Sequence, residues 1–220
     1  MPDYTLYCAP DTYAMGAHAV LEEAGADYAV HWVHLFSDNP DPDFLAASPH
    51  CRTPALKGPD GTVFETGAVA LYVAEGHPKA GLVIPPGDPR RGTFLQWFHY
   101  LASTLQPDVI IQYHPEFYHS EPDRQAALKA ASMQRLKGVY QTLERALEGG
   151  PFFFGSQPTV PDYILALQTV WDVIFPEGDI TAYPNISRHR AAICARPAVQ
   201  RIRAAHEAEY TRRRQAPASK

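Results

Sequence analysis

An α/β domain followed by an all-helical bundle is the fold class that this chain of 220 residues predicts, on three observations. Strand-like and helix-like patterns alternate through residues 4–84, the strongest proline and glycine cluster occupies 81–92, and everything beyond it carries helical character. The boundaries follow as 1–80 for the α/β domain, 81–92 for a linker and 93–220 for the helical domain.

The elements come in a definite order. Tyr4-Thr5-Leu6-Tyr7-Cys8 reads as a strand, residues 14–24 as a helix and 28–35 as a second strand, with a short connection through Phe44-Leu45. Pro54-Ala55-Leu56 and Thr62-Val63-Phe64 flank the turn-rich Lys57-Gly58-Pro59-Asp60-Gly61 and suggest a hairpin. A helix over 68–75 completes a β-α-β then β-β-α order, the thioredoxin-like layout. Beyond the linker, a helix over 93–105 is bent or interrupted by Pro107 before Val109-Ile110-Ile111. Leu128, Leu136, Val139, Leu143 and Leu147 recur at helical spacing until Gly149-Gly150 stops the run. Thr159 with Asp162 forms a capping box, with Pro161 tolerated in the first turn, and opens a helix that stays apolar through Phe175. Such a helix belongs at the centre of a bundle. Another helix begins at Tyr183-Pro184 and ends before Pro197, and 199–209 forms the last.

A hydrophobic content of 45% supplies a full core, and a net charge of −5 from 19 basic and 24 acidic residues argues against nucleic acid as a partner. The basic run Tyr210-Thr211-Arg212-Arg213-Arg214 reads as a solvated, frayed tail. No apolar run approaches the roughly 18 to 20 residues of a membrane span, and Met1-Pro2-Asp3-Tyr4-Thr5 lacks the character of a signal peptide, so the reading is cytoplasmic with no membrane partner. Cys8, Cys51 and Cys194 are far apart and form neither a disulfide framework nor a C-x-x-C motif. The ten histidines are scattered, and the spacing of His31 and His34 puts them on opposite strand faces, so no metal is expected.

The chemistry concentrates in Arg52-Thr53-Pro54-Ala55-Leu56, followed nine residues later by Glu65-Thr66-Gly67. Thr66 falls near the N-cap of the helix over 68–75, where free N–H groups and the positive dipole end favour a carboxylate, and Glu65 beside it suits an ammonium. Pro54 leaves Thr53 extended, in a position to pair its backbone with a peptide as an added strand, and Arg52 can reach a ligand carboxylate. These residues read as a holder for a small peptide. An ordinary hairpin leading into a capped helix is the plain alternative.

A thioredoxin-like domain, a proline-rich linker and an all-α domain, with Thr53-Pro54 and Glu65-Thr66 at these places, resembles the cytosolic glutathione S-transferase family over nearly the whole chain. Supporting motifs are Pro49, the Asp60-Gly61 turn, Tyr72-Val73-Ala74-Glu75, Phe153-Phe154-Gly155, Thr159-Val160-Pro161-Asp162 and Tyr183-Pro184-Asn185. The resemblance implies the glutathione S-transferase fold, glutathione as co-substrate and no metal. It sets Glu65 and Thr66 on the γ-glutamyl group, the backbone of Thr53 before Pro54 on the cysteinyl unit and Arg52 near the glycyl carboxylate.

The family's task is to lower the pKa of the glutathione thiol for attack on a small hydrophobic electrophile. Tyr13 stands where bacterial beta-class forms carry a cysteine, so this chain departs from that pattern. Thr12, a hydroxyl close to the first helix start, is the first choice as thiol hydrogen-bond donor and Tyr13 the second. Tyr7 reads as core and Cys8 as a small buried residue. Gln106, Ile110 and Tyr113, on the helix broken at Pro107, are expected to wall an electrophile pocket between the domains, and a homodimer is expected. Etherase, dehalogenase and peroxidase chemistries, or a non-catalytic glutathione-binding or protein-interaction module, are the alternatives within the same fold.

Overall fold

The alternation over residues 4–84 becomes a four-stranded sheet in the computed structural model, which describes residues 2–215. Strands β1 (Tyr4–Cys8), β2 (Tyr28–Trp32), β3 (Ala55–Gly58) and β4 (Gly61–Phe64) lie in the order β2-β1-β3-β4. β1 pairs parallel with β2 and antiparallel with β3, and β3 turns back on β4 as the expected hairpin. Period-two alternation along β1 sends neighbouring side chains to opposite faces. Tyr7 packs with Phe44, Ala47 and Val33, while Cys8 is buried on the other side. β2 is shorter than the run over 28–35, because one more ladder bond, Val33 N–H to the Cys8 carbonyl at 2.8 Å, precedes a left-handed turn at Phe36, φ 60°.

Helix α1 (Met15–Ala24) makes the crossover between β1 and β2 and ends on Gly25 at φ 68°, a left-handed cap that glycine adopts without a Cβ penalty. Residues 15–21 are all buried, since α1 packs against both α3 (Thr66–Gly76) and α9 (Pro197–Gln215). The expected connection at Phe44-Leu45 is a six-residue helix, α2 (Pro42–Ala47). Asp41 caps it by accepting from the Asp43 and Phe44 N–H groups, and it buries Phe44.

The chain divides into two compact units, one holding the residues up to 83 together with those from 194 onward, the other 84–193. The sequence boundary at 93 instead leaves the last helix with the helical half. α9 also extends past the expected end at 209 and takes in Tyr210–Arg214, so that run is ordered helix and not a frayed tail. The cause is Glu209, nearly buried, which accepts from Arg212 Nε and Nη2 at 2.6 Å and from Arg213 Nε at 2.7 Å. These i,i+3 and i,i+4 pairs tie the last turns together.

The second unit holds α4 (Arg91–Tyr100), α5 (Gln106–Tyr113), α6 (Pro122–Ala146), α7 (Val160–Gln168) and α8 (Pro184–Cys194). Pro107 lacks an N–H and crowds the preceding turn, and the helix answers by widening into a π segment over Leu101–Leu105 before α5. Every residue of α7 is buried, as its composition predicts, but the helix stops at Gln168 and not at Phe175. The Thr169 hydroxyl turns back to the Ala166 carbonyl at 2.9 Å, and Phe175 serves the core from a loop, 4.6 Å from the Tyr140 ring. Among the described residues, no helix is long and apolar enough to cross a membrane.

The capping box is a buried hub. Asp162, fully buried, accepts from the Thr159 N–H (2.7 Å) and hydroxyl (2.9 Å) through one oxygen, and from the Phe153 N–H and His189 Nε2 (both 3.0 Å) through the other. Asp162→Ala strands these donors in a dry core, and we expect a loss of about 3–5 kcal/mol, read as a lower urea midpoint. A loss below about 1 kcal/mol would contradict this account.

Candidate functional site

Beyond β1 the chain runs through Ala9-Pro10, turns at Asp11 with φ 53° and reaches α1. Ala14 is the N-cap of α1, with no side-chain cap and no acid in the first turn, so only backbone carbonyls, those of Thr12 and Tyr13, meet its first N–H groups. Thr12 is not the cap. Its carbonyl accepts from Met15 N–H at 3.0 Å, its hydroxyl donates to the Ala9 carbonyl at 2.9 Å, and its Oγ1 lies 3.4 Å from Thr53 Oγ1. Tyr13 is half-buried, and burial first, then the Glu65 carboxylate, pushes its phenol up. The phenol therefore keeps its proton at neutral pH.

The Thr53–Pro54 peptide is cis. Arg52 is exposed, its guanidinium 5.4 Å from the centre of the Phe36 ring, and its backbone is clamped by a residue that sequence reasoning missed. Ser48, buried, donates its hydroxyl to the Arg52 carbonyl at 2.8 Å and accepts from the Arg52 N–H at 3.0 Å. A serine four residues before the arginine is too common a spacing to signal this.

Glu65 is the N-cap of α3, with Thr66 directly after it. It has φ 77° and ψ 127°, an uncommon conformation for a residue with a Cβ, and its exposed side chain makes no capping bond. Thr66 is the first helical residue and is buried. Holding a non-glycine residue so costs of the order of 1–3 kcal/mol and persists where its surroundings over-determine it.

Gln106, Ile110 and Tyr113 sit on α5 at i, i+4 and i+7, hence along one face. The Gln106 side-chain oxygen accepts from Gln168 Nε2 at 2.6 Å, and the ring of Tyr113, an exposed residue, lies 6.0 Å from that of Trp171.

The first unit also holds a buried group that the sequence did not announce, because its members are separated by up to 198 residues. The Asp11 N–H donates to His206 Nδ1 at 3.1 Å. That places the His206 proton on Nε2, which faces His18 Nδ1 at 3.0 Å and Cys8 Sγ at 3.9 Å. His18 in turn carries its proton on Nε2 and meets the Tyr28 hydroxyl at 3.1 Å. Tyr28 donates to Glu22 Oε2 at 2.5 Å, and Arg201 Nε reaches Glu22 Oε1 at 2.6 Å. A directed chain of hydrogen bonds thus runs from the loop before Thr12 to a surface ion pair.

The ligating atoms of Cys8, His18 and His206 lie within 4.8 Å of one another, a grouping able to hold a metal ion. The hydrogen bonds oppose that use. A metal on His206 Nε2 would move the ring proton to Nδ1 and set it against the Asp11 N–H, donor against donor. Burial lowers His18 to about 4, and burial with the neighbouring His18 lowers His206 to about 3. Burial raises the Cys8 thiol, with Arg213 working the other way. All three stay neutral at pH 7.

Residues 2–75 match the family model for the N-terminal domain of glutathione S-transferases, and 107–197 match the C-terminal domain model. A disulfide-bond oxidoreductase of Escherichia coli, YfcG, is 29% identical over 88% of this chain and 91% of its own length. A glutathione transferase of Methylococcus capsulatus is 30% identical, with a TM-score of 0.78 over 94% of this chain and 99% of that one. A sphingomonad glutathione S-transferase solved with glutathione is 27% identical, with a TM-score of 0.81 over 92% and 98% of the two chains.

The buried rings make stability depend on pH. Each is neutral in the folded protein and titrates near 6.5 when unfolded, so the unfolded chain binds more protons between about pH 6.5 and 4. Stability is therefore full above pH 6.5 and falls on acidification, by up to about 1.4 kcal/mol per pH unit for each ring. Urea midpoints at pH 7 and pH 5 should differ accordingly, and His206→Gln should flatten the slope. A wild-type midpoint unchanged over that range would rule out neutral buried rings.

Proposed function

Since this chain belongs to the glutathione S-transferase family, we propose that Arg52, Thr53, Pro54, Glu65 and Thr66 hold glutathione and that Thr12 activates its thiol. Glu65 faces the γ-glutamyl ammonium, while Thr66 at the start of α3 faces its carboxylate. The Thr53 backbone before the cis peptide pairs with the cysteinyl unit, and Arg52 takes the glycyl carboxylate. The backbone strain at Glu65 and the Ser48 clamp on Arg52 support this reading, because both fix groups that do no structural capping themselves.

One observation carries the catalytic assignment: Thr12 Oγ1 lies 3.4 Å from Thr53 Oγ1, beside the cis Thr53–Pro54 peptide and ahead of the uncapped start of α1. A sulfur held by Thr53 meets the Thr12 hydroxyl there. The hydroxyl has one proton, now given to Ala9, and activation consists of turning it to the thiolate. Lowering a thiol from near 8.5 by about two units needs about 2.7 kcal/mol of preferential thiolate stabilisation, within reach of one charge-assisted hydrogen bond and the helix end. The thiol proton leaves to solvent, the sulfur lone pair forms the bond to the electrophilic carbon, and a leaving group departs with its electron pair or the pair is delocalised in an addition. Tyr13, protonated, is the second donor. Ile110 and Tyr113 remain candidates for the electrophile wall, and Gln106 is engaged by Gln168.

A second reading, glutathione-dependent disulfide exchange, is favoured by the likeness to the Escherichia coli oxidoreductase. The same thiolate serves it, and Cys8, buried with its thiol pushed up, takes no part.

Calorimetry is expected to give micromolar to millimolar glutathione binding, and no binding would overturn the reading. Thr12→Ala should raise the pKa of the bound thiol by about 1–2 units, read from thiolate absorbance, and lower conjugation of a chlorinated dinitrobenzene by about ten- to a hundredfold. If Tyr13→Phe does this and Thr12→Ala does not, the role passes to Tyr13. Bound glutathione with an unshifted thiol would point to a non-catalytic module. The assembly is read as a homodimer, and sedimentation as a monomer at micromolar concentration would refute that.

A further inference from the structure

The basic run at the end of α9 is the part of this chain that the glutathione reading leaves without a role. Arg213, Arg214 and Tyr210 form one wall of a cleft of about 350 Å³ whose other residues include Thr12, His34 and Leu35. The proposed thiol activator and two guanidinium groups therefore line the same space. The cleft is shallow and broadly open to solvent.

The state of Arg213 is unusual. Its side chain is only 18% exposed. Its Nε donates to Glu209, but Nη2 is buried with no hydrogen-bond partner among the described residues. A buried, charged donor left open costs more than an ordinary lost hydrogen bond, and such groups are rare in folded proteins. Glu209 is already shared between Arg212 and Arg213, and Arg214 contacts the face of the Tyr210 ring at 5.8 Å, so among the described residues positive charge is in surplus at this end. Arginines in the last turn also complement the helix dipole, but that effect accounts for neither the open Nη2 nor the cleft shared with Thr12.

We propose that the electrophile taken at this site carries a carboxylate or a similar small anion, read by Arg213 and Arg214 while its apolar body rests on Leu35 and Tyr210. A planar guanidinium matches a carboxylate in geometry as well as charge. The proposal deepens the assignment of Thr12 as thiol activator and rests on it. With a haloarene acid, the sulfur–carbon bond forms, the carbon–halogen bond breaks, the halide leaves with the electron pair and the thiol proton goes to solvent.

The test compares a chlorodinitrobenzoate with the chlorodinitrobenzene that lacks only its carboxylate, each rate divided by the uncatalysed rate. Wild type should favour the benzoate by about tenfold or more, as for a partly buried charge-assisted contact. Arg213→Gln should remove most of that preference and Arg214→Gln part of it, whereas Arg203→Gln, exposed elsewhere on α9, should keep it. Raised salt should weaken the benzoate's KM more than the neutral partner's.

The anion could instead be glutathione's own glycyl carboxylate. In that case Arg213→Gln raises the KM for glutathione with both substrates alike, and the proposal falls. Calorimetry with the two finished glutathione conjugates reads the cleft without any thiol activation, so a failure of Thr12 leaves this measure intact. Tighter binding of the carboxylate conjugate, lost in Arg213→Gln, supports the proposal; equal affinity of the two conjugates for wild type overturns it. Should Arg213→Gln not fold, Arg214→Gln and the salt dependence decide.

Discussion

The hydrogen bond from the Asp11 N–H to His206 Nδ1 is the constraint on which much of the first unit depends. It ties the loop after β1 to the last helix, and by filling one nitrogen of His206 it determines where every later proton in the buried chain sits. His18, Tyr28 and Glu22 then follow in a single direction to Arg201. A loop that turns on a left-handed residue, Asp11, is held by a side chain from α9. Thr12, next in that loop, inherits its position from this arrangement.

Two kinds of information lie in the chain, and they differ in range. The capping box at Thr159 and Asp162, the hairpin about Asp60-Gly61 and the buried helix α7 could be read because each is signalled within a few residues by spacing and turn chemistry. The stretches around Thr53 and Glu65 stand out in the sequence for the same local reason, and in the structure the first carries a cis peptide and the second a positive φ at Glu65. Errors of detail were local too: the turn at Phe36 shortened β2, and Thr169 ended α7 early.

What could not be read is pairing at a distance. Nothing around His18 marks it as the partner of His206, and the Arg212–Arg214 run looks like a solvated tail until Glu209 is seen to be buried beneath it. Lone histidines and basic termini are common in surface segments, so their local context carries no signal. Burial itself separates them, and burial is a property of the packed unit. Ser48 belongs with these, since its clamp on Arg52 exists only once the loop between α2 and β3 has closed.

The grouping of α9 with the first unit bears on how the molecule is made. A ribosome delivers β1 and α1 first and α9 last, with the whole of 84–193 between them. His18 waits for a partner 188 residues away, and until it arrives one flank of α1 and two neutral rings have no dry surroundings. Closing a loop of that length costs entropy that grows only slowly with size, but it sets the order of events. The unit that contains Thr12, Thr53 and Glu65 is therefore begun before 84–193 and completed only after it.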